Sequence, residues 1–316
     1  VLLEPQSTNL ITYSEDFSDA YWVKDGTAVV TANGGVSPDG SNNASLLSGA
    51  TLNIFFNSIR QVSNASPSTT YTASVYVKLL SSASATISIY DNQEAVRFDS
   101  STTTTNEWQR ITATLTTGAS TSSIRVSVGN TDSSILIYGA QLEALPYSTS
   151  YIPTSGAIAT RLADSVTGAG DATTFNSTEG VLYAEIAALA DDGTNRAIAL
   201  SDGSTSNVVR FYYSVTDNRI VGNVKSGGIT YFNFNNVLSS ATDFLKIAIS
   251  YKLNEFKMYV NGTLVFTDTS GNTPIGLNEL SFDNGAGNDK FKGKVKALAV
   301  FNEALTDSEL ECLTTI

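Results

Sequence analysis

No histidine occurs in the 316 residues, and that removes every Ser/His/Asp and Cys/His nucleophile together with every His-ligated zinc site. Cysteine occurs once, as Cys312, so no intrachain disulfide is possible and stability rests on packing. The short apolar helical pattern around Cys312 reads as a packed, structural thiol. Positive charge is also scarce. The chain has 18 Lys and Arg against 30 Asp and Glu, a net charge of -12, which argues against nucleic-acid phosphates and anionic lipid surfaces as partners. No stretch approaches the ~18 consecutive apolar residues of a spanning helix, so no membrane insertion is expected. The start, VLLEPQSTNL, has neither a basic opening nor a long apolar core and does not read as a signal peptide. It also lacks an initiator Met, which reads as a processed or excised part of a longer chain.

Hydrophobic residues make up 41% of the sequence, enough for a sizeable core, and at ~100 to 200 residues per domain the length suggests two domains. A seam lies near the middle, at GAQLEALPYSTSYIPTSGAIATRLAD, residues 139–164. Pro146 and Pro153 remove backbone donors there and hold φ near the extended value, so neither a helix nor a central strand continues through. The expected division is 1–145, with residues 1–8 a leader or linker, then a packed connector at 146–164, then 165–316. Tyr147, Tyr151 and Ile152 make the connector too apolar for a free tether.

Before the seam the chain alternates with period two. YTASVYVKLL places Tyr71, Ala73, Val75, Val77 and Leu79 on one face and Thr72, Ser74, Tyr76 and Lys78 on the other. ATISIYD, QRITATLTT, SIRVSVG and SILIYG repeat the signal between turn clusters such as SPDG, the pattern of an antiparallel sandwich. NLITYSEDFSDAYWVK, SPDG, YTASVYVK, EWQRITATLTT and the seam itself, in that order, resemble the module recurrent in phage tail and virion-surface proteins that is similar to carbohydrate-binding modules of families 4 and 9. The resemblance covers nearly all of residues 7–164. It implies a jelly-roll sandwich that binds glycans or acts as a spacer.

Aromatic faces stack on the apolar faces of pyranose rings, so Trp22, Trp108 and Tyr76 are glycan-binding candidates, with Tyr90 beside them. Core packing is the competing reading for both tryptophans, because large aromatics are mostly buried. Modules of the resembled type often carry a structural calcium, for which Glu15, Asp16 and Glu143 are candidate oxygen ligands if the first and last strands pair. Exposed loop carboxylates explain them as well, since calcium takes about six or more oxygens.

After the seam, VLYAEIAAL, RAIALSDG, NVVRFYYSV, RIVGNVKSG, ITYFNFN and LKIAISY are again short strands. In FKMYVNGTLVF, Asn261 and Gly262 supply the positive φ of a two-residue type I′ hairpin. TDSELECL reads as a short helix in which Thr306 caps, Glu309 closes the box and Leu305 staples to Leu310. This order, ending in FKGKVKALAVFNEAL and TDSELECL, resembles the concanavalin A-like, laminin G type sandwich over residues 165–316. The resemblance implies two curved antiparallel sheets that bind glycans or proteins, sometimes with rim calcium. Asp202, Asn207, Asp283, Asn288 and Asp289 are the loop residues to hold it, with turn formation the alternative. Among Tyr212, Tyr213, Tyr231, Phe232 and Phe234, Tyr212 or Phe232 is the candidate platform.

Glycoside hydrolysis on this fold commonly uses two carboxylates at alternate positions of one strand, and no strand here shows that spacing. Arg210 with Tyr212 and Tyr213 leaves lyase chemistry conceivable, against the plainer reading of a polar sheet face. The fold class expected is all-β, two antiparallel sandwiches with a short C-terminal helix. The function expected is non-enzymatic: a virion protein of a phage tail or surface appendage with glycan-binding or structural modules, contacting host cell-surface polysaccharide or another glycan and other virion proteins as a homo-oligomer. A module pair from a secreted bacterial polysaccharide-degrading enzyme or adhesin is the alternative.

Overall fold

A computed structural model describes residues 1–50, 58–81, 84–103, 106–130, 134–166 and 168–316. The chain forms two compact units, one of residues Gln6–Leu162 and one of Val1–Pro5 with Ala163–Ile316. The strands in chain order are β1 (Leu2–Leu3), β2 (Ser7–Asn9), β3 (Val23–Lys24), β4 (Val29–Gly35), β5 (Ala44–Ser48), β6 (Ile59–Asn64), β7 (Thr70–Leu79), β8 (Ala85–Asp91), β9 (Arg97–Thr102), β10 (Gln109–Thr116), β11 (Ser123–Asn130), β12 (Ile135–Glu143) and β13 (Ala159–Arg161). There follow β14 (Glu179–Ala188), β15 (Arg196–Ser201), β16 (Val208–Tyr213), β17 (Arg219–Ser226), β18 (Ile229–Val237), β19 (Leu245–Lys252), β20 (Glu255–Val260), β21 (Thr263–Asp268), β22 (Glu279–Ser281), β23 (Gly293–Phe301) and the helix α1 (Asp307–Thr314).

The first unit is a sandwich of two antiparallel sheets, in the orders β10-β7-β12-β5-β4 and β3-β6-β11-β8-β9. The alternation in β7 is realised as the sequence predicts. Ala73, Val75, Val77 and Leu79 enter the core with Ile111, Ala113 and Leu115 of β10 and Ile135 and Ile137 of β12, facing Ile87 and Ile89 of β8 and Val126 and Val128 of β11. Thr72, Ser74, Tyr76 and Lys78 line the outer face. β12 is the central strand of its sheet, and its pairing with β7 is interrupted between Tyr138 and Gln141. Gly139 turns that bulge at φ 62°, a left-handed value that glycine adopts without penalty.

The ends of the chain's first sandwich differ from the expected division. Leu2–Leu3 pairs with Gly293–Lys294 of β23, so the segment read as a leader contributes an edge strand to the second unit. Ser7–Asn9 pairs with Ala159–Arg161, which draws the supposed connector into the first unit. There Asn9 Nδ2 donates to the carbonyls of Ala140 (3.1 Å) and Ile152 (2.9 Å), and Ile152 is buried. The physical cause is the apolar content of 147–152, which gains more from packing than from solvent.

In the second unit the sheets run β1-β23-β14-β19-β20-β21 and β18-β17-β16-β15-β22. Leu182, Ala184 and Ile186 of β14, Ile247, Ile249 and Tyr251 of β19, and Phe256 and Met258 of β20 meet Val209, Phe211 and Tyr213 of β16 in the core. The hairpin between β20 and β21 has Asn261 at φ 50° and Gly262 at φ 77°, as a type I′ turn requires. Thr306 Oγ1 accepts from Glu309 N while Glu309 Oε2 accepts from Thr306 N, closing the capping box. Leu310 of α1 packs with Val181, Tyr183, Ala248 and Tyr259, and Leu305 joins them. Cys312 points away from this cluster and is exposed, not packed, because Leu310 and Thr314 take the buried side of so short a helix.

Ile137 is fully buried in the central strand β12. Ile137→Ala is expected to lower the stability of the first unit by about 2–5 kcal/mol, read as a shift of the denaturant midpoint; a midpoint within error of the unsubstituted protein would place Ile137 outside the core.

Candidate functional site

The part of the outer face of the β10-β7-β12-β5-β4 sheet that lies between two sets of contacts is called the groove. At one end the indole of Trp108, just before β10, donates to the carbonyl of Val36 (3.3 Å), which follows β4 at the opposite edge. Gly35 lies directly on Leu136 of β12: a Cβ there would stand 2.6 Å from Leu136 Cδ1. At the other end residues 145–152 form a strap. Thr72 Oγ1 donates to the Leu145 carbonyl (2.8 Å), Gln141 Oε1 accepts from Ile152 N (2.7 Å), and Arg110 Nη1 donates to the Thr149 carbonyl (2.6 Å).

Three tyrosines fill the gap. Tyr76 of β7 and Tyr138 of β12 are cross-strand partners with ring centroids 6.3 Å apart, and Tyr151 of the strap stands 6.2 Å from Tyr76 and 5.6 Å from Tyr138. The Arg110 guanidinium, paired across from Tyr76 on β10, lies 5.4 Å from its ring centre. On the other flank Glu15 Oε1 accepts from the hydroxyls of Tyr138 (3.0 Å) and Tyr151 (3.1 Å), and Asp39 Oδ2 stands 2.9 Å from the same Tyr138 hydroxyl. A phenol has one proton, so Tyr138 serves one carboxylate at a time. Burial first, then the Asp39 and Glu15 carboxylates, hold the Tyr138 phenol well above its ordinary value; burial does the same for Tyr151. Both remain neutral donors at physiological pH. Asp39 is moved the other way: hydrogen bonds from Ser37, then Ser41 and Tyr138, bring its carboxyl down to about 2. Beside this flank Glu15, Asp16, Ser18, Ala32, Asn33, Asn43 and Ser45 line a cleft of about 260 Å³.

Of the candidates named from sequence, Tyr76 and Trp108 are half-exposed and both border this groove. Trp22 does not reach it. Its side chain is fully buried, its ring centroid is 5.0 Å from that of Phe17, and its indole donates to the Tyr13 carbonyl (2.8 Å), so no face is open for stacking. Tyr90 lies on the other sheet, under the Arg125 guanidinium at 4.9 Å. Of the other groove residues, Tyr151 is named from sequence only as an apolar residue of a packed connector, and Tyr138, Arg110 and Asp39 are not named. Tyr138 ends an apolar run and Tyr151 sits between prolines; the one usable signal is the glycine after Tyr138, since a Cβ on Gly139 would approach the rings of Tyr151 and Tyr76 to 3.2 Å.

The oxygen ligands proposed for calcium do not gather. Glu143 is fully buried and satisfied by Ser7 Oγ (2.5 Å), Thr149 N (2.9 Å) and the Thr149 hydroxyl, whereas Glu15 binds the phenols and Asp16 Oδ1 closes a turn onto Ser18 N (3.0 Å) and Asp19 N (3.2 Å). In the second unit Asp202 accepts from Ser204 and Asn207, Asp283 from Ser281 and Gly285, and Asp289 from Asn284. Asn288 donates through its backbone to Asn284 Oδ1 (3.3 Å) within the same turn. Among the described residues no group of three or more His, Cys, Asp or Glu could hold a metal ion.

A second, smaller aromatic surface lies on the outer face of the β18-β17-β16-β15-β22 sheet. Tyr212 is half-exposed with the Arg210 guanidinium 5.3 Å from its ring centre, and Arg210 donates to Asn223 Oδ1 and to the Asn284 carbonyl, each at 3.2 Å. Phe232 is not a platform: it is 1% exposed and packs edge-on against Phe266 at 5.0 Å, because the alternation of β18 turns it into the core. Tyr213 is buried as well, while Tyr231 and Phe234 are half-buried against that core.

Residues 9–134 match the family model described as a carbohydrate binding domain of the 4/9 type, and residues 164–311 match that of the concanavalin A-like lectin/glucanases superfamily, laminin G type. The first match takes in Glu15, Asp39, Tyr76, Trp108 and Arg110 of the groove, whereas Tyr138, Tyr151 and the strap lie beyond its end. Among solved structures the chain is similar to domain 4 of AbnA, an extracellular arabinanase of Geobacillus stearothermophilus in complex with arabinotriose (14% identity, 50% of this chain and 73% of that one, TM-score 0.38). It is also similar to sheep galectin-11 in complex with glycerol (10% identity, 45% and 100%, TM-score 0.32) and to CG-16, a homodimeric agglutinin from chicken liver (17%, 43% and 99%, TM-score 0.30). No curated protein matches.

Gly139→Ala forces a side chain into a left-handed backbone and against two of the three rings. A loss of about 1–2 kcal/mol from the backbone alone is expected, with a change in the near-ultraviolet dichroism of the tyrosines; an unaltered spectrum and midpoint would mean that the glycine does not set the groove.

Proposed function

We propose that the chain is a non-enzymatic glycan-binding protein, and that its carbohydrate-binding domain holds a sugar chain in the groove between the Trp108–Val36 bridge and the 145–152 strap. The observation that carries this reading is the half-exposed Tyr76 ring set between a guanidinium on one flank and a carboxylate–phenol pair on the other. The ring offers a stacking face to pyranose C–H groups, and the flanks offer donors and acceptors to hydroxyls. The half-exposed Tyr212 with Arg210 gives the lectin-like domain the same pairing on a smaller scale.

Two features support binding without catalysis. Glu15 and Asp39 are the carboxylate pair in the groove, and the Tyr138 hydroxyl, 3.0 and 2.9 Å from them, occupies the space a glycosidic oxygen would need. Asp39 is held near 2, opposite to the raised value of a general acid, and the raised phenols are no bases for a lyase reaction.

We further place the protein on a bacteriophage tail or other virion surface, outside the cell, facing host polysaccharide and neighbouring virion proteins. The support is the sequence resemblance over residues 7–164 and the tandem order of the modules. A module pair from a secreted bacterial polysaccharide-degrading enzyme or adhesin accommodates the same groove equally. Structural calcium in either domain stays part of this proposal, carried by the resemblance alone.

On an array of bacterial polysaccharides and their oligosaccharides the intact protein is expected to bind a subset, and Tyr76→Ala to weaken that binding by roughly tenfold or more while circular dichroism verifies that the variant is folded. Tyr212→Ala reports the lectin-like domain separately. Binding indifferent to Tyr76→Ala would remove the groove from the account, and an array without a single bound glycan would leave the domains as spacers.

A further inference from the structure

An unpaired strand edge is a template for another chain, and folded proteins protect their edges by shortness, charge, bulges or proline. Among the described residues the edge strands here are protected with one exception. β1 and β3 have two residues each, and β2, β13 and β22 have three. β4 is bulged between Thr31 and Gly35. β9 carries Arg97 and Asp99, β10 carries Arg110, and β21 is bulged against β20 and ends on Asp268. β18 has none of these protections over most of its length. It runs nine residues, Ile229–Val237, without charge or proline, and its one irregularity, at Tyr231, leaves Phe232–Val237 regularly paired with β17. β18 is the end strand of its sheet, and its Phe232 and Phe234 pack on Phe266 and the core.

We propose that β18 pairs edge to edge, antiparallel, with β18 of a second copy of this chain. Charge selects this occupant. At a net charge of -12 two copies repel wherever carboxylates gather, but residues 226–242 carry no charged side chain, so the strand itself sets no carboxylate against its two-fold mate. A cationic partner, conversely, finds no carboxylate on the strand to hold it. A two-fold pair must be self-complementary, and a uniformly neutral strand is so by construction. An axis at Asn235 sets Asn233 of each strand opposite Val237 of the other. It covers Val237, which is 67% exposed in the single chain, and opposes no charges. Joining two sheets this way would double the number of glycan sites per particle and raise avidity.

The test is sedimentation equilibrium of the full chain over a wide concentration range, for the unsubstituted protein, for Asn233→Lys with Asn235→Lys, and for Ser308→Lys on α1 as a control of equal kind. Asn233, Asn235 and Ser308 are all exposed, and circular dichroism with thermal melting verifies that each variant folds. The expected result is a dimer whose dissociation constant rises by roughly tenfold or more with the two lysines and is unchanged in the control. Amide exchange in 229–237 should slow with rising concentration. A single-chain mass throughout the range, or a dimer indifferent to the lysines, overturns the proposal. Glycan binding by the double-lysine monomer at its single-site affinity keeps this question separate from that of the groove.

Discussion

One carboxylate oxygen, Glu15 Oε1, receives the hydroxyls of Tyr138 and Tyr151, and through it three distant parts of the sequence become one surface. Glu15 belongs to the segment after β2, Tyr138 to the last long strand of the sandwich, and Tyr151 to the strap beyond it. Ser14 adds a hydrogen bond to the Tyr151 hydroxyl at 2.6 Å, and its carbonyl accepts from Ala140 N at the bulge (2.8 Å). Charge-assisted bonds of this kind are stronger than neutral ones, and partial burial limits their competition with water. The Tyr138 and Tyr151 rings are therefore fixed by their hydroxyls, at one end, and stand against Tyr76.

The same constraint supports the proposal that the groove binds a glycan and does not turn it over. A catalytic site keeps a proton mobile and a gap open between its acid and base. Here the phenol fills the gap, its proton is held, and the neighbouring Asp39 is stabilised as an anion by Ser37, Ser41 and Tyr138. Rigid donors and acceptors around an aromatic face favour a fixed pattern of hydroxyls.

Much of the fold was legible in the sequence because period-two alternation and turn chemistry are local. β7, the Asn261–Gly262 hairpin and the Thr306–Glu309 box could be read directly, since each depends on residues a few positions apart. The site was less legible because its parts meet through pairing across more than a hundred residues. Trp22 and Trp108 are equal in a composition table, yet one is sealed against Phe17 and the other lies beside the groove; the difference is set by where Val36 and Tyr13 offer their carbonyls. Glu143, with a calcium ligand and an exposed loop carboxylate as its two sequence readings, is a buried acceptor for Ser7 and Thr149, a pairing visible only once β2 and the strap are in place. Leu2–Leu3 looked like a leader for the same reason: two residues carry no periodicity, and their partner, β23, is nearly three hundred residues away.

The claim on which the functional account rests is the location of the sugar. A crystal structure of the protein with an oligosaccharide that it binds measures this most directly. The account predicts a pyranose ring stacked on Tyr76, between Arg110 and the Glu15–Tyr138 pair, with the Trp108–Val36 bridge at one end and the 145–152 strap at the other. Sugar seated only on the opposite sheet of that sandwich, or only on the lectin-like domain, with the tyrosine groove left to solvent, would contradict it.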